Sequence, residues 1–535
     1  MARIFVYDTT LRDGTQGEHI SLTLEDKLRI AVKLDEFRID YIEGGWPGSN
    51  PKDSEFFARA RDLDLYHARL AAFGSTRRAG VSAENDEGLR TLLVAETPVV
   101  TIFGKSWTLH VREALRTTLD ENLEMIRSSV ALMKAEGREV IYDAEHFFDG
   151  YRVDRGYAMA TLAAAAEAGA DWLVLCDTNG GVLPWDIETA IAQVMEAGHA
   201  RLGIHVHNDA GTAVASTLAA VRAGATQVQG TINGIGERCG NVDLCPVIAG
   251  VALKLGCDMA CADNLDQLTA LSAYLYDATN LVPIDNQPYV GRSAFAHKGG
   301  VHVSAMMRND QTYEHIDPLS VGNQRRILIS ELAGRANLYA SAEAMGISLD
   351  DNQPAVQQAV ETVKRLENAG YQFESADASL ELLLRRQLGL WESRFALRDY
   401  RVTIDHRGGE PRADATIRVV VGDREEHTAA EGDGPVHALD RALRKALQPF
   451  YPEIAGIHLI DYRVRVLDGA QGTGTQVRVL IESADSHGPW TTVGVSPNIL
   501  EASWEALADS IEYGLARHSG AVRVPGRVEA PAHPV

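Results

Sequence analysis

At 535 residues the chain is too long for one ordinary domain and is expected to fold as two to four. A hydrophobic share of 45% is that of a globular protein with large cores. A net charge of −23 and a pI near 5.2 exclude a general binder of nucleic acid or acidic membrane, because phosphate contacts need clustered Lys and Arg, but leave room for a local basic pocket.

The first ~280 residues alternate short apolar strands with amphipathic or Ala-rich helical stretches. Strands are predicted at Ile4–Thr9, Tyr41–Gly45, Leu70–Gly74, Val99–Phe103, Val140–Ala144, Trp172–Asp177, Gly203–His207 and Gln227–Ile232. Helices are predicted at Glu25–Phe37, Asp120–Glu136, Tyr157–Ala168 and Gly211–Ala223, among others. Eight strand–helix repeats of roughly 30 residues point to a (β/α)8 TIM barrel over 1–280. A doubly wound sheet is the competitor, but the first strand runs into Thr10-Leu11-Arg12-Asp13-Gly14-Thr15, which is no Gly-rich phosphate loop.

Residues 281–395 are read as linker subdomains. They begin with an irregular stretch rich in Gly, His, Asn and Pro and continue as helices such as Pro354–Asn368 and Leu380–Leu388. Residues 396–518 are read as a C-terminal α+β domain. Its strands are predicted at Tyr400–Asp405, Ala415–Val421, His458–Leu467, Gln476–Glu482 and Trp490–Val495, and its helices at Val436–Ala446 and Leu500–Arg517. The order ββα then βββα suggests an internal duplication. Residues 519–535 are read as a flexible tail. The N-terminus runs directly into a strand and no long apolar span occurs, so a cytoplasmic location is expected. Five cysteines without C-x-x-C pairs fit reduced thiols.

In a TIM barrel the reactive groups stand at the C-terminal ends of the strands. That rule gathers Asp8, Arg12 and Asp13 after strand one, and Glu43 after strand two. It adds Asp143, Glu145 and His146 from strand five, Asp177, Thr178 and Asn179 from strand six, and His205, His207, Asn208 and Asp209 from strand seven. Asn233–Asn241 follows strand eight. His205 and His207 stand two apart in a strand, so both imidazoles face one way. With Asp13 and Asn241 they make a mixed N/O donor set without thiolate, suited to Mg2+, Mn2+ or Zn2+ with positions left for a chelating substrate. Taken singly, each has a plainer explanation: a core histidine pair, or turn residues beside Gly14 and Gly240. Arg12 offers a forked cation to a carboxylate or a developing oxyanion.

Asp8-Thr9-Thr10-Leu11-Arg12-Asp13-Gly14-Thr15-Gln16, His205-Val206-His207-Asn208-Asp209 and Gly234-Ile235-Gly236-Glu237-Arg238-Cys239-Gly240-Asn241 together resemble the signatures of the DRE-TIM metallolyase superfamily. Nearly the whole chain resembles its 2-isopropylmalate synthase/citramalate synthase family. Three stretches, Asp40–Asp53, Tyr142–Tyr151 and Ala296–Ala305, are most similar to the citramalate-forming members. The resemblance implies condensation of acetyl-CoA with pyruvate to (R)-citramalate and CoA, in a threonine-independent route to isoleucine. It implies metal ligation by Asp13, His205, His207 and Asn241, and polarisation of the keto oxygen by Arg12. Glu43, Glu145 and Thr178 fall at substrate-pocket positions, with Glu145 also placed among the catalytic residues. His302 and Tyr313 of the linker match a catalytic pair. The family's Gln-Asp-Gly after that histidine is replaced by Val303-Ser304-Ala305. The resemblance further implies a homodimer and an isoleucine effector on the C-terminal domain, for which the turn Gly469–Gly474 is the candidate contact. The alternatives are 2-isopropylmalate or homocitrate synthesis, and a hydroxymethylglutaryl-CoA lyase-type cleavage on the same barrel.

Overall fold

A computed structural model describes residues 2–198, 201–328, 335–347, 353–407, 410–467, 475–520 and 522. They form two compact units, Met1–Phe295 with Ile316–Arg325, and Ala296–His315 with Arg326–Val535.

The first unit is a closed barrel of eight parallel strands in sequence order: β1 (Phe5–Asp8), β2 (Tyr41–Gly45), β3 (Arg69–Ser75), β4 (Val99–Lys105), β5 (Glu139–Glu145), β6 (Trp172–Asp177), β7 (Leu202–Val206) and β8 (Gln227–Gly230). β8 closes on β1 through Phe5↔Gln227 to Asp8↔Gly230. The helices between them start where side chains accept the first free backbone N–H groups. Thr23 and Asp26 form a capping box for Leu24–Glu36, and Asn50, Asp86, Thr118 and Asp154 cap the helices at Pro51, Glu87, Leu119 and Arg155.

Alternation along the strands divides the core in two. Val6, Ile42, Ile102, Val140 and Ile204 face the helices. Tyr7, Tyr41, Ala71, Val99, Ile141, Trp172 and Val174 fill the barrel interior. Above that apolar plug the interior turns polar: Tyr7 OH bonds Thr101 Oγ1 at 2.7 Å, and Gln229 Nε2 donates to Gln227 at 3.2 Å and Asp143 at 3.3 Å. This polar layer is the floor of the site.

The second unit opens with the helix Gly300–Met306 and continues through the helices Arg335–Ala344, Gln353–Asn368 and Asp377–Gln387. It ends in two antiparallel meanders, each backed by one helix. The first is β9 (Ala396–Arg407), β10 (Glu410–Val421) and β11 (Arg424–Gly432) with Pro435–Leu447. The second is β12 (His458–Val466), β13 (Val477–Asp485) and β14 (Gly488–Ser496) with Ile499–His518. The duplication is therefore βββα twice, and the expected ββα lacked β11. That strand reads Arg-Glu-Glu-His-Thr-Ala-Ala-Glu-Gly and is an edge strand. Charged residues suit an edge because they discourage pairing with other chains, and they erase the apolar alternation by which a strand is recognised. The turn Gly469–Gly474 lies outside the described residues, as does nearly all of the tail.

Asp35, buried at the end of the Leu24–Glu36 helix, accepts from the backbone N–H groups of Tyr66 (2.9 Å), His67 (2.9 Å) and Ala68 (2.6 Å) and so fixes the entry to β3. Asp35→Ala strands donors in a buried place at ~1–3 kcal/mol for each unsatisfied group. The expected outcome is a barrel unfolding transition lowered by several degrees, read by calorimetry. Wild-type melting would contradict this role for Asp35.

Candidate metal centre and active site

Asp8 ends β1 and is fully buried. Its carboxylate accepts from Thr10 N (2.9 Å) and Thr10 Oγ1 (2.8 Å), and Thr10 Oγ1 accepts from Ile232 N at 3.0 Å. The loops after β1 and β8 are thereby tied together. Burial pushes the Asp8 carboxyl up to about 7 against these hydrogen bonds.

Glu43, with no exposed surface, accepts from Tyr7 OH (2.6 Å), Thr9 Oγ1 (2.6 Å) and Arg12 Nε (2.5 Å). Arg12 also lies 3.2 Å from Asp13 and stacks over the Phe73 ring with its Cζ 3.7 Å from the centroid. Burial alone would lower the Arg12 pKa, but Glu43 and Asp13 raise it above its ordinary value, so the guanidinium stays charged.

Asp13 Oδ2 lies 3.5 Å from His205 Nε2 and 3.8 Å from His207 Nε2. Among the described residues these three form the one group of His, Cys, Asp or Glu side chains whose ligand atoms converge within 4.8 Å. Asn241 joins them from the loop after β8, where it bridges to His207. Its Nδ2 donates to Ile235 O at 3.2 Å, which leaves Oδ1 as the free end. Asp13 Oδ1, His207 Nδ1 and Asn241 Oδ1 are all buried without a hydrogen-bond partner. Buried polar atoms are normally satisfied, and two orphaned oxygens, Asp13 Oδ1 and Asn241 Oδ1, beside imidazole Nε2 atoms that face Asp13 are what a cation site leaves; the unpartnered Nδ1 of His207 is on the far side of its ring. The residues therefore fit a divalent metal.

The charges agree with that fit. Burial raises the Asp13 pKa, but Arg12, His205 and His207 outweigh it and hold the group at about 2, so it is a carboxylate. Burial lowers both histidines, His207 to about 4, which keeps the imidazoles neutral and their lone pairs available. Gln229 orients His205: its amide nitrogen is committed to Asp143 and Gln227, so its Oε1 faces His205 Nδ1 at 3.2 Å as acceptor. That bond turns the bare Nε2 toward Asp13.

The loop carrying Asn241 depends on glycine. At Gly236 (φ +150°) a Cβ would lie 2.3 Å from Asn241 Nδ2, and at Gly240 (φ +85°) one would lie 1.9 Å from Gly234 O. Arg238 straps this loop to its neighbours. It donates to Asp209 at 2.7 and 3.0 Å and to Thr178 O at 2.8 Å.

Arg12, Asp13, Glu145, Thr178, His205 and His207 line one cavity of ≈ 200 Å³ at the barrel mouth, with Trp46, Phe73 and Phe103 as an aromatic wall. Glu43 does not line it and lies beneath Arg12. Glu145 is ion-paired with Lys105, and Thr178 Oγ1 accepts from His146 N at 2.9 Å. His302 and Tyr313 belong to the second unit, where their rings stack at 4.2 Å. β7 ends at Val206, one residue earlier than expected, because His207 turns to pair with Asn241. Sequence reasoning missed Gln229 and Lys105. The signal for Gln229 was the pair Gln227/Gln229 in a strand, two amides on one face pointing inward. Lys105 was the last residue of β4, a strand end from which no candidate was taken.

The chain matches the HMGL-like family over residues 3–274, the homocitrate synthase post-HMGL domain-like family over 289–370 and the LeuA allosteric (dimerisation) domain over 374–515. It is 54% identical to a Geobacter sulfurreducens protein named (R)-citramalate synthase over 517 residues, covering 96% of this chain and 98% of that one. Proteins of the same name from Aquifex aeolicus (54% identical, 96% and 98% covered) and Sulfolobus acidocaldarius (47%, 95% and 96% covered) are also similar.

Gly236→Ala should displace the Asn241 amide and weaken divalent-metal affinity ~10–100-fold, the usual scale for a disturbed outer contact, with the barrel still folded. Competition against a metal-chelating dye measures this. Unchanged affinity in Gly236→Ala, together with retained metal in Asp13→Ala by elemental analysis, would remove the site.

Proposed function

The chain belongs to the HMGL-like family, in its (R)-citramalate synthase branch, and from that membership we infer that it condenses acetyl-CoA with pyruvate to (R)-citramalate and CoA, the threonine-independent entry to isoleucine. It is an acyltransferase of the Claisen-condensation type. The observation that carries the reading at the site is the convergence of Asp13, His205 and His207 beside a charged Arg12 in one small cavity, with Asn241 paired to His207.

These four residues would hold Mg2+, Mn2+ or Zn2+, which supplies Lewis-acid polarisation of an oxo group when bound. Arg12, fixed by Glu43, donates to the oxygen on which alkoxide charge develops, and its place is set before substrate arrives. Glu43 therefore serves the substrate through Arg12. Thr178 offers its hydroxyl to the oxo-acid carboxylate. The Glu145–Lys105 pair sets the charge of the opposite wall, where Glu145 handles a proton. His302 and Tyr313 are assigned the proton of the acetyl methyl on the strength of the family motif. The enolate so formed attacks the oxo carbon, and water cleaves the thioester, which makes the step effectively irreversible. Trp46, Phe73 and Phe103, packed ring against ring beside Arg12, offer an apolar wall to the methyl group of pyruvate.

The C-terminal domain matches a dimerisation model, which supports a homodimer and an isoleucine effector there. No helix among the described residues is long and apolar enough to cross a membrane, which accords with action in the cytoplasm.

The test is CoA release from acetyl-CoA with pyruvate, 2-oxobutyrate, 2-oxoisovalerate and 2-oxoglutarate in turn. Pyruvate should give the highest kcat/KM, and a higher value for 2-oxoisovalerate would make the enzyme a 2-isopropylmalate synthase. Arg12→Ala should lower kcat by ~10²–10³, about 2.7–4 kcal/mol. Near-normal turnover in that variant would sink the role given to Arg12.

A further inference from the structure

Next to the catalytic cavity lies a second one of ≈ 230 Å³, and Phe103 is a wall of both. Arg77, Arg78 and Lys105 line it, and Ala114 and Leu115 close its far side. Ala114 and Leu115 belong to the π-helical turn Val111–Leu115, which also carries Arg112 and ends on Arg116 in the left-handed conformation (φ 54°). π-turns and left-handed non-glycine residues are uncommon and concentrate at functional places. Three cations thus line one cavity, and two more stand on or just after the turn that closes it, in a chain whose acidic residues outnumber its basic ones 74 to 51.

The local balance of charge matters more than the count. Arg77 is buried and engaged: it bonds Glu121 at 2.7 Å and Ser128 at 2.8 Å. Lys105 is paired with Glu145. Arg78, Arg112 and Arg116 are exposed and have no ion pair among the described residues, with Glu113 the one acid in their turn. Exposed cations without an ion-pair partner on neighbouring turns attract a polyanion, most strongly at low salt.

The anion expected at this mouth is part of the proposed substrate. Coenzyme A carries a diphosphate and a monoester phosphate at the end of a long uncharged arm. We propose that the phosphate-bearing tail of acetyl-CoA docks on Arg78 of this second cavity and on Arg112 and Arg116 of the turn that closes it, with the arm passing Phe103 and Lys105 so that the thioester enters the catalytic cavity. The proposal rests on the acetyl-CoA reading above and adds the residues that hold the nucleotide. Guanidinium groups suit the task because each presents a fork of donors to phosphate oxygens.

The experiment titrates the full-length, metal-loaded protein with CoA, dephospho-CoA and pantetheine by calorimetry. Wild type should prefer CoA to pantetheine by at least a hundredfold, with an affinity that falls as salt rises. The Arg78→Ala/Arg112→Ala/Arg116→Ala variant should bind CoA at least tenfold more weakly, with a flattened salt dependence and pantetheine affinity shifted less than twofold. Its KM for acetyl-CoA should rise at least tenfold while KM for pyruvate stays within twofold. Lysine at the same three positions should restore most of the CoA affinity. CoA affinity within twofold of wild type in the alanine variant would overturn the site, as would an equal loss for pantetheine. If wild type binds CoA tightly and the variant does not, yet no 2-oxo acid elicits CoA release, the site stands and the proposed reaction falls.

Discussion

Glu43 is a carboxylate with no exposed surface, and three donors converge on it: Tyr7, Thr9 and Arg12. A buried charge is tolerated only when paired and hydrogen-bonded, and removing one partner of such a pair costs several kcal/mol. The barrel must therefore bring β1, its following turn and β2 into one arrangement. Arg12 is held at the mouth by that requirement, Asp13 follows it in the chain, and His205 of β7 and His207 just beyond that strand face Asp13. The position of the Arg12 guanidinium is thus a consequence of satisfying the buried Glu43 side chain beneath it.

A second set of contacts works from the opposite side. Gln229 fixes the ring of His205, Ile235 O holds the Asn241 amide, and Arg238 straps the loop after β8 to those after β6 and β7. Each contact lies one step away from the ligand it serves. In the donor set Asp13 Oδ1 and Asn241 Oδ1 stay buried and unpartnered, a cost a folded chain does not accept in apolar surroundings. A cation at this site would turn that cost into binding energy, because the low dielectric that penalises unpartnered donors also strengthens their hold on a charge.

Most of this was legible in the chain. The eight strand–helix repeats marked the barrel because parallel strands buried on both faces leave continuous apolar runs. The rule that chemistry sits at strand C-termini then placed Arg12, Asp13, Thr178, His205, His207 and Asn241 at one end. What escaped did so for physical reasons. β11 is an edge strand whose outward charges hide its period. Lys105 extends a strand by two residues past its last apolar position. Gln229 is a barrel-interior amide, and an amide's partner cannot be read from spacing. Glu43 looked like a pocket residue because its strand end points inward, but depth along the barrel decides whether such a residue meets substrate or the residue that does.

The sequence by itself determined the barrel, the α+β character of the C-terminal domain and the family, and it singled out the candidate donor set, since these follow from periodicity, residue type and motifs at fixed spacing along the chain. Only the tertiary structure decided which inward residues line the cavity and which lie beneath it. It also decided which imidazole nitrogen stays bare, why Gly236 and Gly240 admit no side chain, and which arginines are already paired. Those outcomes depend on distances between residues tens to hundreds of positions apart, and such distances exist only once the barrel has closed.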